Sequence, residues 1–170
     1  NGGNRLEGEL RIEGSKNAVL PILAASIING RQSVIHNVPN LKDVKTMLNV
    51  LETIGCTCSF NGDTVIVNSA GDLDINIPDK PVREMRSSIM LMGAMLGRFK
   101  KVKICFPGGC EIGLRPIDLH LTGLRLLGAK IVESHGYILC ECDKLYGNEI
   151  HLDYPSVGAT ENIMLAAVSA

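Results

Sequence analysis

Two stretches of this chain repeat one another, and that limits what it can fold into. The first reads Leu51-Glu-Thr-Ile-Gly55-Cys56, then Asn61-Gly62, then Thr64-Val-Ile-Val67. The second reads Leu124-Arg-Leu-Leu-Gly128-Ala129, then His135-Gly136, then Tyr137-Ile-Leu-Cys140. Gly55 and Gly128 are 73 residues apart. A helix-start signal recurs as well, at Gly14-Ser15-Lys16, at Arg83-Glu-Met-Arg86 and at Ser156-Val157-Gly158. A period of this length marks one supersecondary unit stacked on its copies.

Within each unit the pattern reads helix, strand, helix, strand, strand. Ser15 is placed to N-cap a helix running to about Asn29, which Asn29-Gly30 would close, with Pro21 near its first turns. Ser33 to Val38 alternates as a strand. Asp43 to Ile54 is amphipathic, with Val44, Met47, Leu48 and Leu51 on one face. Cys56 to Phe60 and Thr64 to Val67 flank Asn61-Gly62, which predicts a type I′ hairpin. After a linker from Gly71 to Pro81, the second unit predicts a helix over Arg83 to Leu96 and a strand over Val102 to Phe106. A helix over Ile117 to Leu127 follows, with Pro116 near its start. A hairpin from Ala129 to Val132 and Tyr137 to Cys142 completes the unit. Ile150 to Asp153 would open a third. Helices alternating with strands, in copies, define an α/β fold with internal pseudo-symmetry. Periodicity leaves open which strands pair.

Stacked units of this kind need a buried core, and the composition supplies one. Of 170 residues 45% are hydrophobic, yet aromatics make up 4% and Trp is absent. The core must therefore rest on Ile, Leu, Val, Ala and Met. The net charge of -1 leaves no electrostatic footprint for nucleic acid. The longest apolar runs, such as Val19 to Ile28, are interrupted by Pro21 and Ser26 and read as buried helix, too short to span a bilayer. The six cysteines include two C-x-C pairs, Cys56/Cys58 and Cys140/Cys142. This is not metal-knuckle or redox spacing, and such thiols behave as small buried hydrophobes in a reducing, cytoplasmic setting. The chain opens without Met, and the helical pattern from Asn162 runs to Ala170 without a Gly or Pro stop. Both features are expected of part of a longer polypeptide.

The chemistry-bearing residues gather at unit starts. Pro107-Gly108-Gly109 is an exposed turn after a strand, and Cys110 follows on it with Gly113 beyond. Arg115 is five residues on, and a guanidinium nearby would favour the thiolate. The loop then enters a helix, whose N–H groups favour anions. Cys110 is thus either a plain loop cysteine or a reactive thiol beside an anion site. Lys16, Arg86 and Arg115 each stand near a helix start, where a cation opposes the dipole and calls for an anionic partner. A single such residue would suit a solvated surface, but its repetition points to a ligand. Asp118 suits the first turn of a helix whatever its function. His120 fits a base, a ligand or a structural histidine. Ser156-Val157-Gly158 offers N–H groups to a diphosphate, or is capped by Ser156 itself.

Together these segments resemble the enolpyruvyl transferase family. The likeness is carried by Leu6 to Ala18, Asn37 to Val44 and Met85-Arg-Ser-Ser-Ile89. Pro107-Gly-Gly-Cys-Glu-Ile-Gly-Leu-Arg-Pro-Ile-Asp-Leu-His120 and Pro155-Ser-Val-Gly-Ala-Thr160 continue it in order across the chain. Lys16-Asn17 and the cysteine loop set the likeness on the nucleotide-sugar branch, apart from the branch that acts on shikimate 3-phosphate. The resemblance implies two similar domains of three βαβαββ units each, in an inside-out α/β barrel. Residues 1–15 would belong with the second domain, and residues 16–170 would form an incomplete first, catalytic one.

It also implies transfer of the enolpyruvyl group of phosphoenolpyruvate to the 3-hydroxyl of UDP-N-acetylglucosamine by addition and elimination, releasing phosphate. No metal or organic cofactor is implied. Lys16, Arg86 and Arg115 would neutralise phosphoenolpyruvate. Cys110 would be the general acid to the alkene and the nucleophile that an epoxide such as fosfomycin alkylates. Asn17, Arg115, Pro116, Ile117, Asp118, Leu119, His120, Ser156, Val157 and Gly158 would line the nucleotide-sugar site. This chain has Tyr154-Pro155 where some members have a Lys, and Met90 where some have Trp. The family's Asp base and a further Arg come from the C-terminal domain, so these 170 residues alone are expected to be inactive. A non-catalytic binding module of the same fold is the rival from another class.

Overall fold

A computed structural model describes residues 2–5, 7–108 and 116–170. Two units of like order follow one another. The first comprises α1 (Lys16–Ala25), β1 (Gln32–Ile35), α2 (Lys42–Thr53), β2 (Thr57–Asn61) and β3 (Thr64–Asn68). A short α3 (Asp79–Glu84) and a 3₁₀ turn (Arg86–Ile89) lead into the second. It comprises α4 (Met90–Phe99), β4 (Lys101–Cys105), α5 (Asp118–Leu126), β5 (Lys130–Ser134) and β6 (Tyr137–Glu141). α6 (Val157–Ala167) follows.

The strand pairing that periodicity left open is the same in both units. Each sheet has three antiparallel strands, ordered β1-β3-β2 and β4-β6-β5, so the last strand of each unit is central. The central strands alternate as a half-buried strand should, with Val65 and Val67 inward in β3 and Ile138 and Cys140 inward in β6. The linker from Gly71 docks on β4, where Lys103 N–H donates to Ile75 and Ile77 N–H to Lys103.

The first hairpin turn differs from expectation. In the first, Asn61 pairs with Thr64, so the central residues are Gly62 and Asp63 rather than Asn61 and Gly62. Among the two, Gly62 alone has positive φ, the II′ pattern. In the second, His135 and Gly136 both have positive φ, the I′ pattern. Asn61 is claimed by the ladder, which moves the turn one residue on.

Three other expectations are corrected. α1 ends at Ala25, short of Asn29. The Ser26 hydroxyl donates to Leu23 O at 2.6 Å, and Asn29 instead forms a turn by accepting from Arg31 N–H. Ser15 occupies the N-cap position without a side-chain bond. The helix read over Arg83 to Leu96 is broken at Met85, which is extended (φ -134°, ψ 109°). There the Ser88 hydroxyl donates to Met85 O at 2.6 Å, satisfying a carbonyl that the helix would otherwise use.

The core sits between the helices. α4 is buried along Met90 to Gly97, with α1 and α6 against it. α6 comes close because Gly93 and Gly97 face it. A Cβ at Gly97 would stand 3.0 Å from Leu165 O, and one at Gly93 would overlap the Asn162 backbone. Arg98, from the same helix, donates to Ile27 O at 2.9 Å and to Ser69 O and Gly71 O at 2.7 Å each. It thereby ties the loose ends of the first unit to the second.

Candidate active site

The helix starts read as a repeated signal meet in space. The first turn of α1, the 3₁₀ turn before α4 and the start of α6 line one cavity of about 680 Å³. It collects Lys16, Asn17, Arg86, Pro116, Leu119, His120, Ser156, Val157 and Gly158. The N-terminal N–H groups of α1 and α6 therefore add their partial positive charge to that of Lys16 and Arg86.

Two predicted residues stand apart. Ile117 is buried in the core, and Asp118 heads α5 on its exposed side; neither lines the cavity. Cys110 and Arg115 lie outside the described residues. Pro116, the first described residue after them, lines the cavity, and its carbonyl accepts from Arg86 Nη2 at 3.4 Å. On the other side, Gly108 rests on the Arg83 backbone and its N–H donates to Val82 O.

Sequence reasoning passed over Asp43 and Asn162. Asp43, in the first turn of α2, holds Lys16 Nζ at 3.0 Å within the cavity. Its signal was present, since an acidic residue in a first turn is common and Asp43 belongs to a matched segment, but nothing in its spacing tied it to Lys16. Asn162 is fully buried behind the site and hydrogen-bonded to His120. Tyr154 and Met90, the two departures from the family pattern, also line the cavity. Ser156 acts as a cap: its hydroxyl accepts from Ala159 N–H at 3.3 Å.

Burial separates the described thiols from reactive chemistry. It pushes Cys56 up to about 11 and Cys58 and Cys140 up to about 12, and it raises Cys105 and Cys142 as well. All five are free and protonated near neutrality, so none offers a thiolate. Among the described residues no three His, Cys, Asp or Glu side chains could hold a metal ion, and no helix is long and apolar enough to cross a membrane.

His120 is 6% exposed, and burial, followed by the nearby Arg86 guanidinium, pushes it down to about 4 from 6.5. Between those values the unfolded chain carries a proton that the folded chain refuses. Stability therefore rises with pH through this window and levels above it. Acidification from pH 7 to 4 is expected to remove about 3 kcal/mol through this group alone. Urea unfolding across that range should show His120→Gln flattening this part of the curve. An equal slope in both proteins would refute the assignment.

These features define a class: an α/β protein built by internal repetition, with two helix N-termini, the cations Lys16 and Arg86 and the carboxylates Asp43, Glu84 and Glu161 turned onto one cavity. A family model described as EPSP synthase (3-phosphoshikimate 1-carboxyvinyltransferase) matches residues 1–170. The chain belongs to that family of enolpyruvyl transferases. It is 60% identical over 170 residues to UDP-N-acetylglucosamine 1-carboxyvinyltransferase 2 of Caldanaerobacter subterraneus subsp. tengcongensis, covering all of this chain and 41% of the relative. It is 47% identical over 172 residues to the protein of the same name from Clostridium tetani, again covering 41% of it. The chain thus spans about two fifths of the length of these curated relatives.

Among solved structures, the enolpyruvyl transferase NikO from Streptomyces tendae superposes with a TM-score of 0.77 at 20% identity, covering 99% of this chain and 39% of that one. EPSP synthase from Acinetobacter baumannii superposes at 0.67 and 18% identity, covering 94% and 37%. These two likenesses carry the fold expected from the resemblance.

Proposed function

We propose that the full-length protein transfers the enolpyruvyl group of phosphoenolpyruvate to the 3-hydroxyl of UDP-N-acetylglucosamine, releasing phosphate. This is the entry to peptidoglycan precursors, and hence to cell-wall growth and division, and it takes place in the cytoplasm. The observation that carries the reading is the convergence of Lys16, Asn17, Arg86, His120 and Ser156–Gly158 on one cavity. Two relatives named for this reaction on UDP-N-acetylglucosamine, matched along the whole chain, support the choice of acceptor.

In this reading Lys16, Arg86 and Arg115 clamp the phosphate and carboxylate of phosphoenolpyruvate. Cys110 protonates the alkene and is the thiol an epoxide of the fosfomycin type would alkylate. The raised pKa values of the five described thiols favour Cys110 for that part. Asn17, Pro116, Leu119, His120 and Ser156 to Gly158 receive the nucleotide sugar. Residues 16–170 form part of the catalytic domain, and residues 1–15 pack with a second, C-terminal domain. Leu10 and Ile12, 84% and 76% exposed, supply apolar surface for that packing.

The test is phosphate release from phosphoenolpyruvate by the full-length protein, with UDP-N-acetylglucosamine and shikimate 3-phosphate as separate acceptors. Release is expected with the nucleotide sugar alone, and none from the isolated 170 residues. Release with the shikimate compound alone would move the assignment to the sister reaction. Release with neither would leave a binding module.

A further inference from the structure

Behind the cavity runs a buried chain of hydrogen bonds that no site residue explains. The Gly93 backbone N–H, at the start of α4, donates to Asn162 Oδ1 at 2.8 Å. Asn162 Nδ2 lies 3.1 Å from His120 Nδ1. Asn162 is 0% exposed and His120 6%. The far edge of the imidazole, carrying Cε1 and Nε2, faces Gly158 at the start of α6.

The order of donors is forced from one end. A backbone N–H can only donate, so the Asn162 atom beside Gly93 must be its oxygen. The amide nitrogen then faces His120, and it too can only donate. Nδ1 must therefore be bare and accept, which leaves the ring proton on Nε2. The arrangement needs glycine at position 93, because a side chain there would occupy the space Asn162 fills.

We propose that Asn162 is a positioning residue: through the Gly93 N–H it locks His120 as the neutral tautomer protonated on Nε2, so that the cavity is presented with a fixed, uncharged hydrogen-bond donor beside the α6 N-terminus. The side chain itself touches no substrate; it acts through His120. Its effect on substrate rests on the nucleotide-sugar reading given above, whereas the tautomer does not.

Asn162→Asp separates the two roles. As a carboxylate, the aspartate still accepts from Gly93 N–H, and its second oxygen can only accept as well, which draws a proton onto Nδ1. The experiment is side-chain ¹⁵N NMR of His120 in the full-length protein, together with UDP-N-acetylglucosamine binding by calorimetry. Wild type should show a bare Nδ1 and a protonated Nε2 throughout pH 6 to 8. Asn162→Asp should carry a proton on Nδ1 and bind the nucleotide sugar about tenfold more weakly.

A bare Nε2 in the wild type would overturn the proposal. So would unchanged affinity in a variant whose Nδ1 has gained its proton. A merely structural Asn162 would alter stability and leave the tautomer where it was. If the variant does not fold, or the wild type does not bind the nucleotide sugar, the wild-type tautomer alone decides the positioning role. In the second case it is the functional reading that falls.

Discussion

Gly93→Ala is expected to cost roughly 3–5 kcal/mol of folding stability, combining overpacking with loss of the Asn162 hydrogen bond. The added methyl would meet the Asn162 backbone carbonyl and its side-chain oxygen. A carbonyl within α6 cannot swing aside as a flexible side chain would, so the two helices must part. Parting lengthens the Gly93–Asn162 bond of 2.8 Å and leaves a buried amide without its partner. Gly136→Ala provides the contrast, since nothing lies within 4 Å of its would-be Cβ and the cost there comes only from backbone strain at φ 81°. Urea unfolding of both variants measures the difference. A loss under 1 kcal/mol at position 93 would mean that α4 and α6 are not in the contact described.

Lys16→Met in the full-length protein is expected to lower kcat/KM for phosphoenolpyruvate by about 10²–10³-fold. Lys16 is held at 3.0 Å by Asp43, so removing the ammonium does more than delete a cation. It leaves a carboxylate facing a cavity proposed to receive two anionic groups. The double variant Lys16→Met/Asp43→Asn separates these effects. If Lys16 served only to neutralise Asp43, the double variant would recover most of the rate. If Lys16 contacts phosphoenolpyruvate, the loss persists. A loss below tenfold in the single variant would remove Lys16 from the machinery.

Local rules reached a good part of this fold. The 73-residue spacing of Gly55 and Gly128 located both hairpins, since both glycines precede a β-strand with positive φ. The amphipathic stripe of α2 placed Val44, Met47, Leu48 and Leu51 inward, and all four are buried. Local rules failed where a hydroxyl or a ladder overrode propensity. Ser26 and Ser88 compete for backbone carbonyls at helix ends, and pairing of Asn61 moved a turn by one residue. The site was legible as three basic or glycine-containing helix starts. That they share one cavity follows from stacking of α1, α4 and α6, which no single unit encodes. The pairings of Asp43 and Asn162 were hidden for the same reason, because each acts on a residue distant in sequence: Asp43 on Lys16 and Asn162 on His120.

Arg98 bears on how such a duplicated chain acquires its structure. Its guanidinium belongs to the second unit, yet the carbonyls it satisfies, at Ile27, Ser69 and Gly71, all belong to the first unit or the linker after it. Ser69 already ties the trailing end of the first unit to the turn after α1, its N–H donating to Arg31 O and its hydroxyl to Ser26 O, and Arg98 joins these same ends to α4. Arg98 thus couples the two copies, and cooperativity is expected to run across the boundary between them. Hydrogen exchange would then register one transition where the symmetry suggests two. The contacts that close it join residues as far apart as Ile27 and Arg98, a separation that slows folding relative to local pairing.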